Sequence, residues 1–326
     1  MTLVDAMMGS LNVQPQLNNR VASITIDRTL PQDDNMTVTS FAEGAQPPVL
    51  TSTSYNAVFN TTTLGCAQRM DLTGLGLFYE QKDVLRSLHY DVSTKVAIVF
   101  SEPWWLTECG ITQGGTANTD LPLRSCVYPS YNLHDGPDQK AVLLASYTWA
   151  QDAQRMASLT TSESPVGEDE LKALLIHDLA LLHPQVTEAQ LNGWYVTHQS
   201  WAWSHDPYTS GAFALFGPGQ FASLYPYLTR PTADSKFYFA GEAASAHHAW
   251  IVGALNSAYA AVYSYLTRYA QTEKLVQLVT QWGGSDESVL HDELETGEYG
   301  TQHLQVLLGQ ANPQEHVRVG PFIRSK

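Results

Sequence analysis

The chain has 326 residues, 44% of them hydrophobic, with 17 Lys+Arg against 32 Asp+Glu and a formal charge of −15. That length is ample for a large core and makes two lobes a sensible expectation. An acidic surface repels phosphate backbones and anionic lipid, so nucleic acid and membrane are poor partners. The three cysteines, Cys66, Cys109 and Cys126, are odd in number and lack CxxC spacing. This argues against a disulfide framework or a zinc site and reads as buried thiols.

No apolar run approaches the roughly 20 residues that span a bilayer. The opening MTLVDAMMGSLN has neither a basic n-region nor a long apolar stretch, so it is not a signal peptide. A cytoplasmic location is the expectation, unless the true N-terminus lies elsewhere. No internal repeat or low-complexity tract is found.

In chain order, Val21 to Ile26 alternates apolar and polar residues, as a half-buried strand does. Thr29 to Asn35, with Pro31 and two aspartates, reads as a turn. Tyr55 to Phe59 is a second strand. Val96 to Phe100 and Ala141 to Tyr147 are continuous apolar runs, expected as strands buried on both faces.

A helix is expected over Gly167 to Leu182. Glu168, Asp169 and Glu170 lie in its first turn, and Leu171, Leu174, Leu175, Leu179 and Leu182 form an apolar face. Thr187-Glu188-Ala189-Gln190 is a capping-box start. Several aromatics crowd into Trp194 to Tyr208. Within them Trp201 and Trp203 alternate as strand residues do, which puts one at a substrate pocket or both in the core. Phe237 to Ala240 is a short buried strand. Leu255, Ala258, Tyr259 and Val262 take helical spacing after Gly253, and a last helix is expected over Tyr269 to Trp282, stopping at Gly283-Gly284. The polar, acidic tail beyond is expected to be partly mobile.

The strand, loop and helix from Phe237 to Leu266 carry the most chemistry. A helix N-terminus offers free N–H groups and partial positive charge, which suit an anion or an electron-rich carbonyl. A reduced flavin gathers negative charge beside N1 and its C2 carbonyl, so a helix start aimed there stabilises it. Glu242, just past the strand, is placed to accept hydrogen bonds from a polyol such as a ribityl chain. Trp250, just before the helix, is placed to wall a substrate slot. An ordinary strand-loop-helix crossover with an acid at its start is the competing reading. His247 and His248 are adjacent, so their side chains diverge and make a poor metal pair, and no metal is expected. One of them is expected to hydrogen-bond within the loop. No GxSxG, HExxH or P-loop occurs.

FYFAGEAASAHHAWIVGALNSA resembles the C-terminal signature of the flavin monoamine oxidase and L-amino acid oxidase superfamily, in which FAGE and a short loop precede a Trp that opens a helix of small residues. Four further blocks follow in family order. NRVASI resembles the strand whose valine meets the adenine. YNAVFNTTTLG resembles the strand and turn leaving the flavin domain. LHYDVSTKVAIVFSEPWW resembles the segment with the active-site lysine. DPYTSGAFALFGPGQF resembles the bacterial and fungal L-amino acid oxidases in particular.

The resemblance implies an α/β fold: a partial FAD/NAD(P)-binding-type flavin lobe with a mixed-sheet substrate lobe. The lobes would be residues 1–64 and 236–270 for flavin, 65–235 for substrate, and 271–326 for a C-terminal helix and tail. It implies FAD as cofactor and oxidative deamination of L-amino acids to 2-oxo acids, ammonia and hydrogen peroxide. Lys95, otherwise a lysine at a strand start, would hold a water near flavin N5 and assist reoxidation or imine hydrolysis. Tyr147, otherwise a core aromatic, would face Trp250 across the substrate. Ala249 stands where the family has glycine, and its carbonyl would accept the substrate amine if its φ is permitted. Glu242 and Ala243 would contact the ribityl and phosphate portion, Trp250, Ile251, Val252, Gly253 and Ala254 would line the ring, and Val21 would meet the adenine.

The sequence departs from the family in lacking the N-terminal GxGxxG that cradles the pyrophosphate and the arginine that grips the substrate carboxylate. Gly74-Leu75-Gly76 has no glycine at the needed spacing. The chain thus resembles the C-terminal part of such an enzyme: a fragment, one chain of a processed enzyme, or a degenerate protein. The isolated chain is expected to bind flavin weakly and be inactive. Implied partners are an L-amino acid, oxygen, and either a chain supplying the dinucleotide-binding half or a homodimer partner. A related amine oxidase, an amino-acid 2-monooxygenase and a non-catalytic subunit remain alternatives.

Overall fold

The structure is a computed structural model and describes residues 2–30, 34–44, 48–131, 133–136, 139–160 and 165–283. The acidic tail beyond 283, Gly284 and residues 31–33 of the expected turn lie outside the described residues. The chain divides into two compact units: an outer one comprising the chain up to Leu88 and from Phe216 onward, and an inner one, His89–Leu215. Residues 65–88 and 216–235, placed in the substrate lobe from sequence, thus belong to the outer unit.

The outer unit begins with the helix Leu3–Gly9, capped reciprocally by Thr2 and Asp5. Strands β1 (Asn19–Ile26), β2 (Met36–Ala42) and β3 (Leu50–Tyr55) form an antiparallel sheet in the order β1-β2-β3. Ile24 and Met36 are buried, whereas every residue of β3 is exposed. The strand expected over Tyr55 to Phe59 is broken in two. The chain bends at Asn56, whose side-chain oxygen accepts the Asp34 N–H at 2.8 Å. It then resumes as β4 (Val58–Asn60), which pairs with a different sheet.

The inner unit contains β5 (His89–Asp91), β6 (Ser93–Phe100), β7 (Gly115–Asn118), β8 (Ser125–Tyr128), β9 (Ala141–Trp149), β10 (Tyr195–Ala202) and β11 (Phe213–Leu215). Five of these form a sheet in the order β10-β6-β9-β8-β7, and β11 pairs with β5. A mixed sheet is the expectation, but its ladders are all antiparallel, with one isolated parallel bridge at Arg124–Tyr147.

Nor are β6 and β9 buried on both faces. Val96, Ile98 and Phe100 are fully buried while Lys95, Ala97 and Val99 are half-buried. The buried face joins one apolar cluster with Leu143, Ala145, Trp104 and Trp105, and with Leu171, Leu175, Ile176 and Leu179 of the helix Pro165–Leu182. The apolar helix face expected from sequence is therefore present, with Leu174 and Leu182 at its margin. The Thr187–Gln190 capping box opens the helix Glu188–Trp194 as expected.

Two buried polar groups cross this core. Asp178 accepts the Leu123 N–H at 3.0 Å, and burial pushes its carboxyl above the ordinary aspartate range. His183 bonds the Leu179 carbonyl through Nδ1 at 2.8 Å and the Tyr128 hydroxyl through Nε2 at 2.5 Å. Burial pushes this histidine below its ordinary value. None of the three cysteines forms a disulfide. Cys126 is buried, its thiol pushed up to about 12 by desolvation, while Cys66 and Cys109 are only partly buried.

The chain returns to the outer unit through β12 (Phe237–Phe239), which pairs in parallel with β4, Phe239 opposite Asn60. The helix Ile251–Arg268 follows, starting two residues before Gly253. The last helix is Thr272–Trp282 rather than one from Tyr269. The difference lies in Ala270, which takes φ +50° and breaks the run, and in Tyr269, whose hydroxyl reaches back to the Asp234 carbonyl at 2.7 Å. Among the described residues no helix is long and apolar enough to cross a membrane.

Candidate active site

The expected site residues fall in both units. In the outer unit, β4 and β12 are parallel and end together at Asn60 and Phe239. The carboxyl ends of parallel strands are where α/β folds present loops to a ligand. The Ala240 N–H bonds the Asn60 carbonyl at 2.9 Å, and Gly241 follows at φ +119°, a conformation closed to most side chains. The Gly241 N–H is held at 3.1 Å by Ser257 Oγ from the long helix.

The next nine residues curl back over the start of that helix. Glu242, Ala243 and Ala244 form a single tight turn. Ser245 Oγ donates to the Glu242 carbonyl at 2.9 Å and accepts the His247 N–H at 3.1 Å. Glu242 Oε1 accepts the Ala249 N–H at 2.7 Å and closes the loop. Ala249 has φ +64°, a left-handed conformation that favours glycine over the alanine found there.

Trp250 returns to extended backbone and is 69% exposed, followed by exposed Ile251 and Val252 in the first helical turn. Gly253 is buried. A Cβ there would collide with the His247 carbonyl oxygen and Ser245 Oγ, so only glycine lets the loop lie so close to the helix start. Ala254, half-buried, makes the first backbone bond of the helix, to the Trp250 carbonyl. The first-turn N–H groups that precede it have no intrahelical acceptor.

Val21 lies on β1, half-buried, opposite Ser40 and beside a bulge. In the inner unit Lys95 on β6 pairs with Trp201 of β10 on one side and Tyr147 of β9 on the other. Its Nζ lies 4.6 Å from the centre of the Tyr147 ring and 6.0 Å from that of Trp203. Both are attractive cation–π distances. Trp149 packs on Tyr147 at 4.2 Å, and Trp201 meets Trp203 edge-on at 6.0 Å. Trp203 is not a strand residue as expected: β10 ends at Ala202, and Trp203 opens a short turn that lets its ring approach Lys95.

The structure therefore gathers Lys95, Tyr147 and three tryptophans in one unit, and Glu242 to Ala254 in the other. Sequence reasoning missed Trp149, Ser245, Ser257 and Asn60. Asn60 ends the YNAVFN run quoted above, but nothing in its pattern marks that its Oδ1 accepts from the Thr62 N–H and hydroxyl, or that Nδ2 is buried without a partner among the described residues. No group of three or more metal-ligating side chains is found among the described residues.

The family profile described as flavin containing amine oxidoreductase matches residues 2–266. The chain belongs to that family. It is 40% identical over 278 residues to L-amino-acid oxidase 4 of Hebeloma cylindrosporum, covering 83% of this chain and 42% of that protein. It is 36% identical over 253 residues to an L-amino-acid oxidase of Siganus canaliculatus, covering 78% and 44% respectively. Among solved structures a putrescine oxidase superposes with a TM-score of 0.59 at 17% identity, over 81% of this chain and 51% of that one, a likeness of fold. The chain thus spans under half the length of these two curated relatives.

The residues present fit a flavin. A helix of 18 residues ends in free N–H groups, its loop is folded to a closeness only Gly253 permits, and the Asn60 amide offers a buried donor. Such a set suits the carbonyls and polyol of an isoalloxazine with its ribityl chain.

Proposed function

We propose that this chain carries the flavin-ring and substrate portion of an FAD-dependent L-amino acid oxidase. The observation that carries this reading is the loop Gly241–Trp250, closed by the Glu242–Ala249 hydrogen bond over a helix start that admits only glycine at 253. FAD, when bound, supplies the hydride acceptor and passes the electrons to oxygen.

The chain's own groups orient and stabilise. Amides of the first turn, Ile251 to Gly253, stabilise negative charge at their mouth. The Ala249 carbonyl accepts the substrate amine. Trp250 and Tyr147 provide aromatic walls, and Lys95 orders a water for hydrolysis of the imine or for reoxidation. Glu242 and Ala243 serve the ribityl end and Val21 the adenine. Per turnover, amino acid, oxygen and water give 2-oxo acid, ammonia and hydrogen peroxide.

No GxGxxG occurs in these 326 residues. In this reading the FAD pyrophosphate is cradled by protein outside them, in the same polypeptide or a second chain. Residues 1–326 alone then hold flavin weakly and turn over little. The protein purified from its native source and given FAD and a panel of L-amino acids should release 2-oxo acid, ammonia and peroxide in equal amounts. An amide with carbon dioxide would mark a monooxygenase instead, and no turnover on any amino acid would overturn the reading.

A further inference from the structure

The two adjacent histidines of the loop part company. His247 is exposed, while the ring of His248 turns inward and lies on Phe216 at 4.8 Å and 17° and on Phe221 at 5.3 Å and 20°. Those two rings contact each other at 4.6 Å, and Tyr225 meets both. The imidazole also bonds the Ala243 backbone. Its Nε2 is buried and has no partner among the described residues, so Nδ1 makes that bond, donating to the carbonyl. Nε2 is left without an acceptor for a proton, which disfavours the charged ring. Desolvation agrees, holding this histidine below its ordinary value against the opposing pull of the Ala243 bond.

One residue on, Ala249 is left-handed, and after it comes the exposed indole of Trp250. The turn is thus pinned at two points: the Ala249 N–H on Glu242, and the His248 ring in its aromatic slot. We propose that His248 is a positioning residue, whose clamped imidazole fixes the Ala249 turn and so the direction in which the Ala249 carbonyl and the Trp250 indole are presented. Both contacts contribute, the stack by holding the ring plane and the Ala243 bond by setting its rotation. The catalytic consequence rests on the oxidase reading above; the geometric one does not.

Two readouts separate them. Fluorotryptophan-labelled protein gives one indole fluorine signal per tryptophan, and that of Trp250 is identified by its loss in Trp250→Phe. His248→Ala should shift and broaden the Trp250 signal while the others hold. An unmoved Trp250 signal would overturn the proposal. If His248→Ala loses its cooperative unfolding transition, His248→Phe replaces it, because it keeps the stack and lacks only the Ala243 bond. A smaller shift of the same signal is then expected, and no shift overturns the proposal.

In the oxidase assay, displacing reacting groups by about an ångström costs up to about a hundredfold. His248→Ala should therefore lower kcat/KM about tenfold or more, chiefly through KM, with bound flavin and its absorbance unchanged. Loss of flavin instead would mark a purely structural role and overturn it. Failure of the unmodified protein to oxidise any amino acid would sink the oxidase reading alone, leaving the fluorine result to decide this one.

Discussion

In the inner unit Lys95 and Tyr147 stand on paired strands, locked by ladder register, over a face whose reverse is the core of Val96, Ile98, Phe100 and Trp104. In the outer unit Ala249 and Trp250 stand on a turn held by one carboxylate, one serine hydroxyl and one histidine ring. The first arrangement delegates position to many backbone bonds that do not depend on side-chain identity. The second depends on a few side chains and on two backbone positions closed to most residues. The two arrangements should respond unequally to substitution. On the proposed function, changes at Lys95 or Tyr147 should alter turnover and spare the fold, while changes in the loop should displace Ala249 and Trp250.

The largest effect expected on the inner side comes from its core. Trp104 is fully buried against Phe100, Trp105 and His183. Trp104→Ala should cost about 3–5 kcal/mol in urea unfolding, the usual range for an emptied aromatic site. A loss well under that would mean the core is less closely packed than the contacts indicate. On the outer side, Gly253→Ala should cost about 1–3 kcal/mol by overpacking against backbone and should also displace the loop. Flavin retained by the variant at unchanged affinity would contradict the closeness argued for this helix start.

A pH experiment sharpens the contrast further. His183 has a folded value below the ordinary 6.5, so the unfolded chain takes up its proton first as pH falls. Stability is therefore full above about 6.5 and declines below it, by at most about 1.4 kcal/mol per pH unit for one proton. Asp178 acts in the opposite sense, since its raised carboxyl favours proton uptake by the folded state. The readout is accordingly the difference between the unmodified protein and His183→Gln, whose urea midpoint should fall less steeply on acidification. Equal slopes would show that His183 does not differ between the two states. The smallest effect is expected at Ala249→Gly, which relieves a left-handed alanine and should raise stability by about 1 kcal/mol or less. A clear loss of stability would mean that the Ala249 methyl makes a contact outweighing the strain.

What could be read from sequence follows the same division. Apolar runs and leucine spacing foretold β6, β9 and the helix Pro165–Leu182, because a buried face imposes a periodicity that survives in composition. β2 and β3 left no such trace: β3 is exposed throughout and rich in threonine and serine, so no face selects its residues. The break at Asn56 and the late start of the last helix at Thr272 depend on contacts with Asp34 and Asp234, distant in sequence. Within the site, Glu242, Ala249, Trp250 and Gly253 came from the motif, and the left-handed Ala249 is the one departure whose meaning needed a backbone angle. Trp203 was noticed but misplaced on a strand, because alternation cannot tell where β10 stops. His248 looked equivalent to His247 because adjacency alone does not say which ring turns inward.

The parallel pairing of β4 with β12 has a consequence for synthesis. Three residues at Val58–Asn60 find their partners only at Phe237–Phe239, beyond the whole of the inner unit. On a ribosome the inserted unit, continuous in sequence, emerges whole before Phe237 leaves the exit tunnel. It can gain its sheet while Asn60 still waits. The loop around Gly241 is assembled on the end of that late pairing, so cleavage between residues 215 and 237 would leave a folded insert without this loop.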